Sequence, residues 1–134
     1  MTGPLLITPR LRLEPFTEAF ITERYLGWLN DRELMRFSEL RHRDHSAATS
    51  RDYLKEMADG RHLFWAIVAP NDGLDHIGNI TAYIDYPNSL ADVAILVGHY
   101  LAQGKGYGSE AWDKVCRHLM DRMGIRKVGA GTVS

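Results

Sequence analysis

Cysteine is almost absent from this chain. Cys116 stands alone, so an internal disulfide is excluded and the composition suits a reducing compartment. There is no excess of either charge: 16 Lys and Arg face 17 Asp and Glu, for a formal net charge of -1. The broad basic footprint of a nucleic-acid binder is therefore missing. No stretch approaches the roughly 18 consecutive apolar residues of a membrane span. The opening, MTGPLLITPRLRL, carries no long apolar run after a basic segment, so no secretory signal is expected. Repeats, low-complexity tracts and linkers are lacking too. What remains is 45% hydrophobic and 25% charged in 134 residues, the profile of one globular domain spanning 1–134, expected to be cytoplasmic.

Periodicity supplies the elements. In RLRLEPF, 10–16, Leu11 and Leu13 alternate with Arg12 and Glu14, the period of a half-buried strand. Thr17 is placed to cap a helix with Phe20, Ile21, Tyr25, Trp28 and Leu29 on its apolar side. Asn30 and Glu33 have the spacing of a capping box, with Leu29 and Leu34 as its staple. That predicts a short helix over 31–37, then a polar loop. A further helix over 47–58 follows Ser46 and stops at Gly60. HLFWAIVA, 62–69, is nearly all apolar, as in a strand covered on both faces. Strands over 76–86 and 90–98 follow, separated by PNDG and PNS. Connections this short favour an antiparallel meander. Helical spacing returns at Ala111, Trp112, Val115, Leu119 and Met123, and 125–133 reads as a last strand. The fold class is thus α+β.

LAQGKGYGSEAW, 101–112, has glycine at Gly104, Gly106 and Gly108, directly before the long helix. Glycine admits unusual backbone angles and close approach of a ligand to its N–H groups. A helix N-terminus adds unpaired donors and partial positive charge. Together they make an anion site of the kind phosphate occupies; the plain alternative is a connection that only reverses the chain. A P-loop would need Ser or Thr after Lys105, and a dinucleotide fingerprint would need glycine at Ser109. Both nucleotide readings fail on spacing.

Gln103-Gly104-Lys105-Gly106-Tyr107-Gly108 resembles the Q/R-x-x-G-x-G/A acetyl-CoA signature of the GCN5-related N-acetyltransferases (GNAT). TPRLRLEPF, YLGWLND, HIGNI and ADVAILVG are similar to the branch that holds ribosomal-protein N-acetyltransferases, and within it to members acting on amino sugars. The resemblance implies a mixed, mostly antiparallel sheet flanked by helices. It also implies that the N–H groups from Gly104 through Lys105, Gly106, Tyr107 and Gly108 to Ser109 hold the pyrophosphate of acetyl-CoA. The strand ending Leu96-Val97-Gly98 would splay from the next one, and the pantetheine arm would pair with its edge. Gly98 suits a bulge there. No metal is implied. Family members continue past this point, so the resemblance implies a chain lacking the C-terminal strands, with dimerisation or strand exchange completing the sheet.

The implied reaction moves an acetyl group to a primary amine, in an amino sugar nucleotide or at a peptide N-terminus. Such an amine attacks only when neutral, so a base or a water chain is useful. Asp92, on the strand leading to the thioester, is the candidate base; the alternative is a solvated carboxylate. The backbone N–H of Val97 is the candidate donor to the oxyanion. His99 is the second candidate base, weighed against an exposed loop residue. His42 and His45 lack the companions of a metal site. Cys116 reads as a small core residue, and Trp28 and Trp65 read as large aromatic core residues. The loop over 38–45 is expected to border the acceptor. A different class remains open: an acyl-CoA-binding fragment with little turnover.

Overall fold

Residues 2–31, 33–35 and 45–130 are described by a computed structural model. Six strands form one sheet: β1 (Leu6–Ile7), β2 (Arg12–Pro15), β3 (Leu63–Ala69), β4 (Leu74–Asp85), β5 (Leu90–Val97) and β6 (Lys127–Ala130), in spatial order β1-β2-β3-β4-β5-β6. Pairing is antiparallel from β1 to β5, and β6 joins β5 in parallel. The expected meander and mixed sheet are therefore present. Three helices flank the sheet: α1 (Glu23–Asn30), α2 (Ala47–Asp59) and α3 (Tyr107–Met123).

Every residue of β3 is buried, and its alternation divides the core. Leu63, Trp65, Ile67 and Ala69 turn to one face with Leu11, Leu13, Ile80 and Val93, covered by Tyr107, Ala111, Val115 and Leu119 of α3. Phe64 and Ala66 turn to the other with Phe16, covered by Tyr25, Trp28 and Leu29 of α1 and Met57 of α2. Burying each large apolar side chain is worth roughly 1.5–3 kcal/mol. Trp28 and Trp65 are core residues as expected. Cys116 is half-buried, and burial pushes its thiol pKa up, away from the reactive thiolate.

Helix starts differ from expectation in detail. Thr17 precedes only a 3-10 turn, Glu18–Phe20, and its side chain caps nothing. The cap of α1 is Thr22, whose hydroxyl accepts from the Tyr25 N–H at 3.2 Å. The Thr22 hydroxyl reaches its third residue, whereas Thr17 is followed by a turn too short to offer a full set of orphan donors. Asn30 is likewise not a cap. Asp31 Oδ1 accepts from the N–H groups of Glu33 and Leu34, forming an Asx turn. The Asn30 amide instead bridges to the His45 backbone in both directions at 2.8 Å. The rest of the helix expected over 31–37, the loop over 38–44, His42 and residues 131–134 lie outside the described residues. Ser46 does cap α2, in a reciprocal capping box with Thr49.

One buried polar group stands out on the α1 side. His76 is 9% exposed and sits among Phe16, Phe20, Tyr25 and Trp28, with ring centroids 5.1–6.0 Å away. Its Nε2 has no hydrogen-bond partner among the described residues. Burial, helped by the charge of Arg24, pushes its pKa down to about 4, against a backbone hydrogen bond with Gly78 that acts the other way. The folded protein therefore keeps this imidazole neutral over a range in which the unfolded chain protonates it. Stability should be full above pH 6.5 and fall by roughly 3 kcal/mol between pH 6.5 and pH 4. Urea unfolding across that range checks this, and His76→Leu should remove most of the His76-dependent slope.

Candidate functional site

The glycine segment, the end of β5 and the first turn of α3 meet at one edge of the sheet. The end of β5 is irregular for a local reason. Ile67 pairs with Gly78 and Val68 with His76, so Ile77 is an extra residue in β4. Its carbonyl accepts two backbone N–H groups, from Gly98 at 2.9 Å and His99 at 3.1 Å. The bulge thus lies in β4 against β3, and at Gly98 the two bonds to Ile77 mark a close backbone approach.

Two glycines make the geometry possible. A Cβ on Gly78 would lie 2.0 Å from the Leu96 carbonyl oxygen, and one on Gly98 would lie 2.2 Å from the Trp28 indole. Both spaces are taken, one by backbone and one by a core side chain.

Among the described residues, β6 pairs with β5 from Leu90 to Val93. Ala94, Ile95, Leu96 and Val97 have no strand partner on that side among the described residues. Gly78 and Val97 face each other across the ladder, and the Gly98 N–H is spent on Ile77. Because these groups alternate along an antiparallel strand, the N–H and C=O of Val97 turn away from β4, towards the open side. The Gln103 side-chain amide donates to that Val97 carbonyl. It makes, from within the protein, the bond that an amide-bearing ligand would make on this edge.

Beyond a 3-10 turn, Tyr100–Ala102, the chain passes through Gly104 at φ +72° and Gly106 at φ +78°, left-handed conformations that favour glycine. Gly106 is the N-cap of α3 and has no side chain to cap the helix. The first-turn amides of Tyr107, Gly108 and Ser109 are thus left to an external acceptor. A Cβ on Gly108 would lie 3.8 Å from Val97 and 3.9 Å from Ile95, so this turn rests on the open half of β5. Gln103 and Gly108 are brought to Val97, while the Leu96 side chain packs on the α1–α2 face and Gly98 lies against Trp28.

Asp92 is not brought to them. It is exposed and paired with Gly129 in the closed half of β5, five residues before Val97 and roughly 16 Å along the strand at the usual rise. Its alternation with Ala91 and Val93 puts it on the α1–α2 side, as is Leu96. A Cβ on Gly129 would lie 3.1 Å from its Oδ1. His99 Nδ1 accepts from the Leu101 N–H at 3.1 Å and its ring stacks on Tyr100, which ties it to the loop. No group of His, Cys, Asp or Glu among the described residues could hold a metal ion. No helix among them is long and apolar enough to cross a membrane.

Sequence reasoning missed the support around the loop. Arg10 and Thr8 hold Glu110 in the first turn of α3, and the buried Tyr107 donates its hydroxyl to Asp72. Thr8 and Arg10 lie in the TPRLRLEPF stretch and Gly78 in HIGNI, but spacing along the chain does not show that they meet the loop.

The mixed sheet, with its glycine turn and uncapped α3 beside β5, matches the acyl-CoA N-acyltransferase fold. The family model for the acetyltransferase (GNAT) domain matches residues 10–134, and the chain belongs to that family. Solved structures agree on the fold. A RimL ribosomal L7/L12 alpha-N-protein acetyltransferase in complex with coenzyme A superposes with a TM-score of 0.77 at 17% identity, over 93% of this chain and 72% of that one. A GNAT-family acetyltransferase from Bacillus anthracis gives 0.75 at 13% identity, over 93% and 71%. A spermidine N-acetyltransferase from Vibrio cholerae, in complex with CoA and spermine, gives 0.71 at 17%, over 90% and 70%. Across such matches the chain spans from 58% to 72% of the other chain's length. No curated protein sequence matches it.

The two glycine contacts separate fold from mere composition. Gly78→Ala should destabilise the protein by about 2 kcal/mol or more, because backbone must move. Gly108→Ala meets only ordinary contacts and should be neutral or stabilising by up to about 1 kcal/mol. Urea midpoints of the two variants decide it.

Proposed function

We propose that this protein transfers an acetyl group from acetyl-CoA to a primary amine. The observation that carries the reading is the left-handed turn at Gly104 and Gly106 running into an uncapped α3 beside the open edge of β5. Family membership supports the same donor. The residues fit it: amides around 104–109 suit a diphosphate, and the edge of Leu96 and Val97 suits an amide-rich arm. Gly98 lets the end of that strand lie against Trp28. When bound, acetyl-CoA supplies an activated thioester.

The remaining chemistry falls to the chain. The Val97 N–H, directed to the open side, donates to the oxygen that gains charge as the amine adds. Asp92 takes the amine proton through water, since its carboxylate is too far from Val97 for direct transfer. Solvent protonates the coenzyme A thiolate that leaves as the amide forms and the C–S bond breaks. The exposed position of Asp92 suits contact with such a water chain. The acceptor approaches from the α1–α2 face. An amino sugar nucleotide and a peptide N-terminus are both within this reading. The solved relatives include proteins named for a ribosomal protein and for spermidine, which favours amines without choosing among them.

Calorimetric titration with acetyl-CoA, followed by thiol release over a panel of amino sugar nucleotides and peptides, tests the proposal. Saturable binding and amine-dependent release are expected; absence of any coenzyme A binding sinks it, and binding without release reduces the protein to a carrier-binding domain. Asp92→Asn should lower kcat/KM about 100-fold at pH 7 and recover partly at pH 9. An unaltered pH–rate profile removes Asp92 from the role.

A further inference from the structure

The first turn of α3 contains a carboxylate, Glu110, beside a site proposed to hold a dianion. The protein neutralises it from a segment 100 residues or more away in the chain. Arg10 Nε donates to Glu110 Oε1 at 2.7 Å, and the Arg10 backbone N–H donates to Oε2 at 3.0 Å. The Thr8 hydroxyl donates to the same Oε2 and accepts from the Leu11 N–H at 3.0 Å. Partial burial would raise the Glu110 pKa, but these hydrogen bonds outweigh it and hold the carboxyl below its usual range. It is therefore ionised and fully engaged.

Arg10 does more than neutralise. Its Nη1 donates to the Lys105 carbonyl at 2.9 Å, and its guanidinium lies 4.6 Å over the Tyr107 ring. The Tyr107 hydroxyl is anchored on Asp72 in turn. A trans peptide unit is planar, with its C=O and N–H pointing opposite ways. Drawing the Lys105 carbonyl towards Arg10 therefore directs the Gly106 N–H away from it. The side chain sets the orientation of the one peptide plane at the entrance to α3.

We propose that Arg10 is a positioning residue for the diphosphate of the donor: it orients the 105–106 peptide and screens Glu110, without touching the reacting atoms. The inference rests on the acetyl-CoA reading. It predicts a defect confined to donors that carry a diphosphate. Lysine keeps the charge but cannot span Glu110 and the Lys105 carbonyl with a planar fork.

Coenzyme A affinity by calorimetry and thiol-release kinetics are measured for wild type, Arg10→Gln and Arg10→Lys. Acetyl-CoA is compared with acetyl-pantetheine, which lacks the diphosphate. Arg10→Gln should weaken coenzyme A binding and raise the KM for acetyl-CoA about tenfold, with kcat unchanged. Arg10→Lys should lose about threefold. Neither should alter kcat/KM for acetyl-pantetheine. An equal loss with acetyl-pantetheine, or unchanged coenzyme A affinity in both variants, overturns the inference while leaving the donor reading intact. A wild-type protein that does not bind coenzyme A overturns both. If Arg10→Gln does not fold, Arg10→Lys carries the same comparison.

Discussion

The structure depends on the absence of two side chains where β4 and β5 run together. Gly78 lets the strands close to a distance at which any Cβ would enter the Leu96 carbonyl, and Gly98 lets the end of β5 lie flat on Trp28. Everything at the open edge follows from these contacts. The bulge at Ile77 gathers two N–H groups on one carbonyl. The ladder then leaves the polar groups of Val97 facing away from β4, and the first turn of α3 rests on Ile95 and Val97. A substituted β4 could still pair with β5, but not in this register and not with this exit.

Trp28 links that edge to the opposite layer. Its indole fills the space at Gly98 and also meets the ring of His76 edge-on at 5.1 Å. Helix α1 is thus fixed to the end of β5 by an aromatic contact rather than by hydrogen bonds. The neutral imidazole packs as one more ring in this cluster, and its protonation would bury a charge among four aromatic neighbours that the backbone hydrogen bond with Gly78 does not offset. The cohesion of this side of the domain is therefore coupled to acidity, whereas the α3 side is wholly apolar at its centre.

Much of this was legible from residue order. Alternation in 10–16, the continuous apolar run of 63–69 and the spacing of Ala111, Val115 and Leu119 each encode an element through burial, and burial is what the sequence records most directly. The glycine turn was legible because left-handed backbone restricts the residue type. Helix caps were less so: Thr17 and Thr22 are chemically alike, as are Asn30 and Asp31 as turn formers, and only the path of the chain selects between them. The two-residue β1 is too short for any period to register. Arg10, Glu110, Tyr107 and Asp72 form a cluster across segments far apart in the chain, and nothing in local spacing reports such a meeting. Asp92 was read from its strand alone, and distance along that strand separates it from Val97.

The parallel pairing of β6 with β5 through α3 has a structural consequence. Strand edge, glycine turn and helix entrance are all drawn from one continuous stretch of about twenty residues, whereas the facing layer is assembled from α1 and α2, much earlier in the chain. The stretch is continuous, yet Arg10, Thr8, Asp72, Gly78 and Trp28 hold it from outside. Substitutions in α1 and α2 that spare Trp28 can therefore reshape the facing layer without moving the glycine turn or the start of α3.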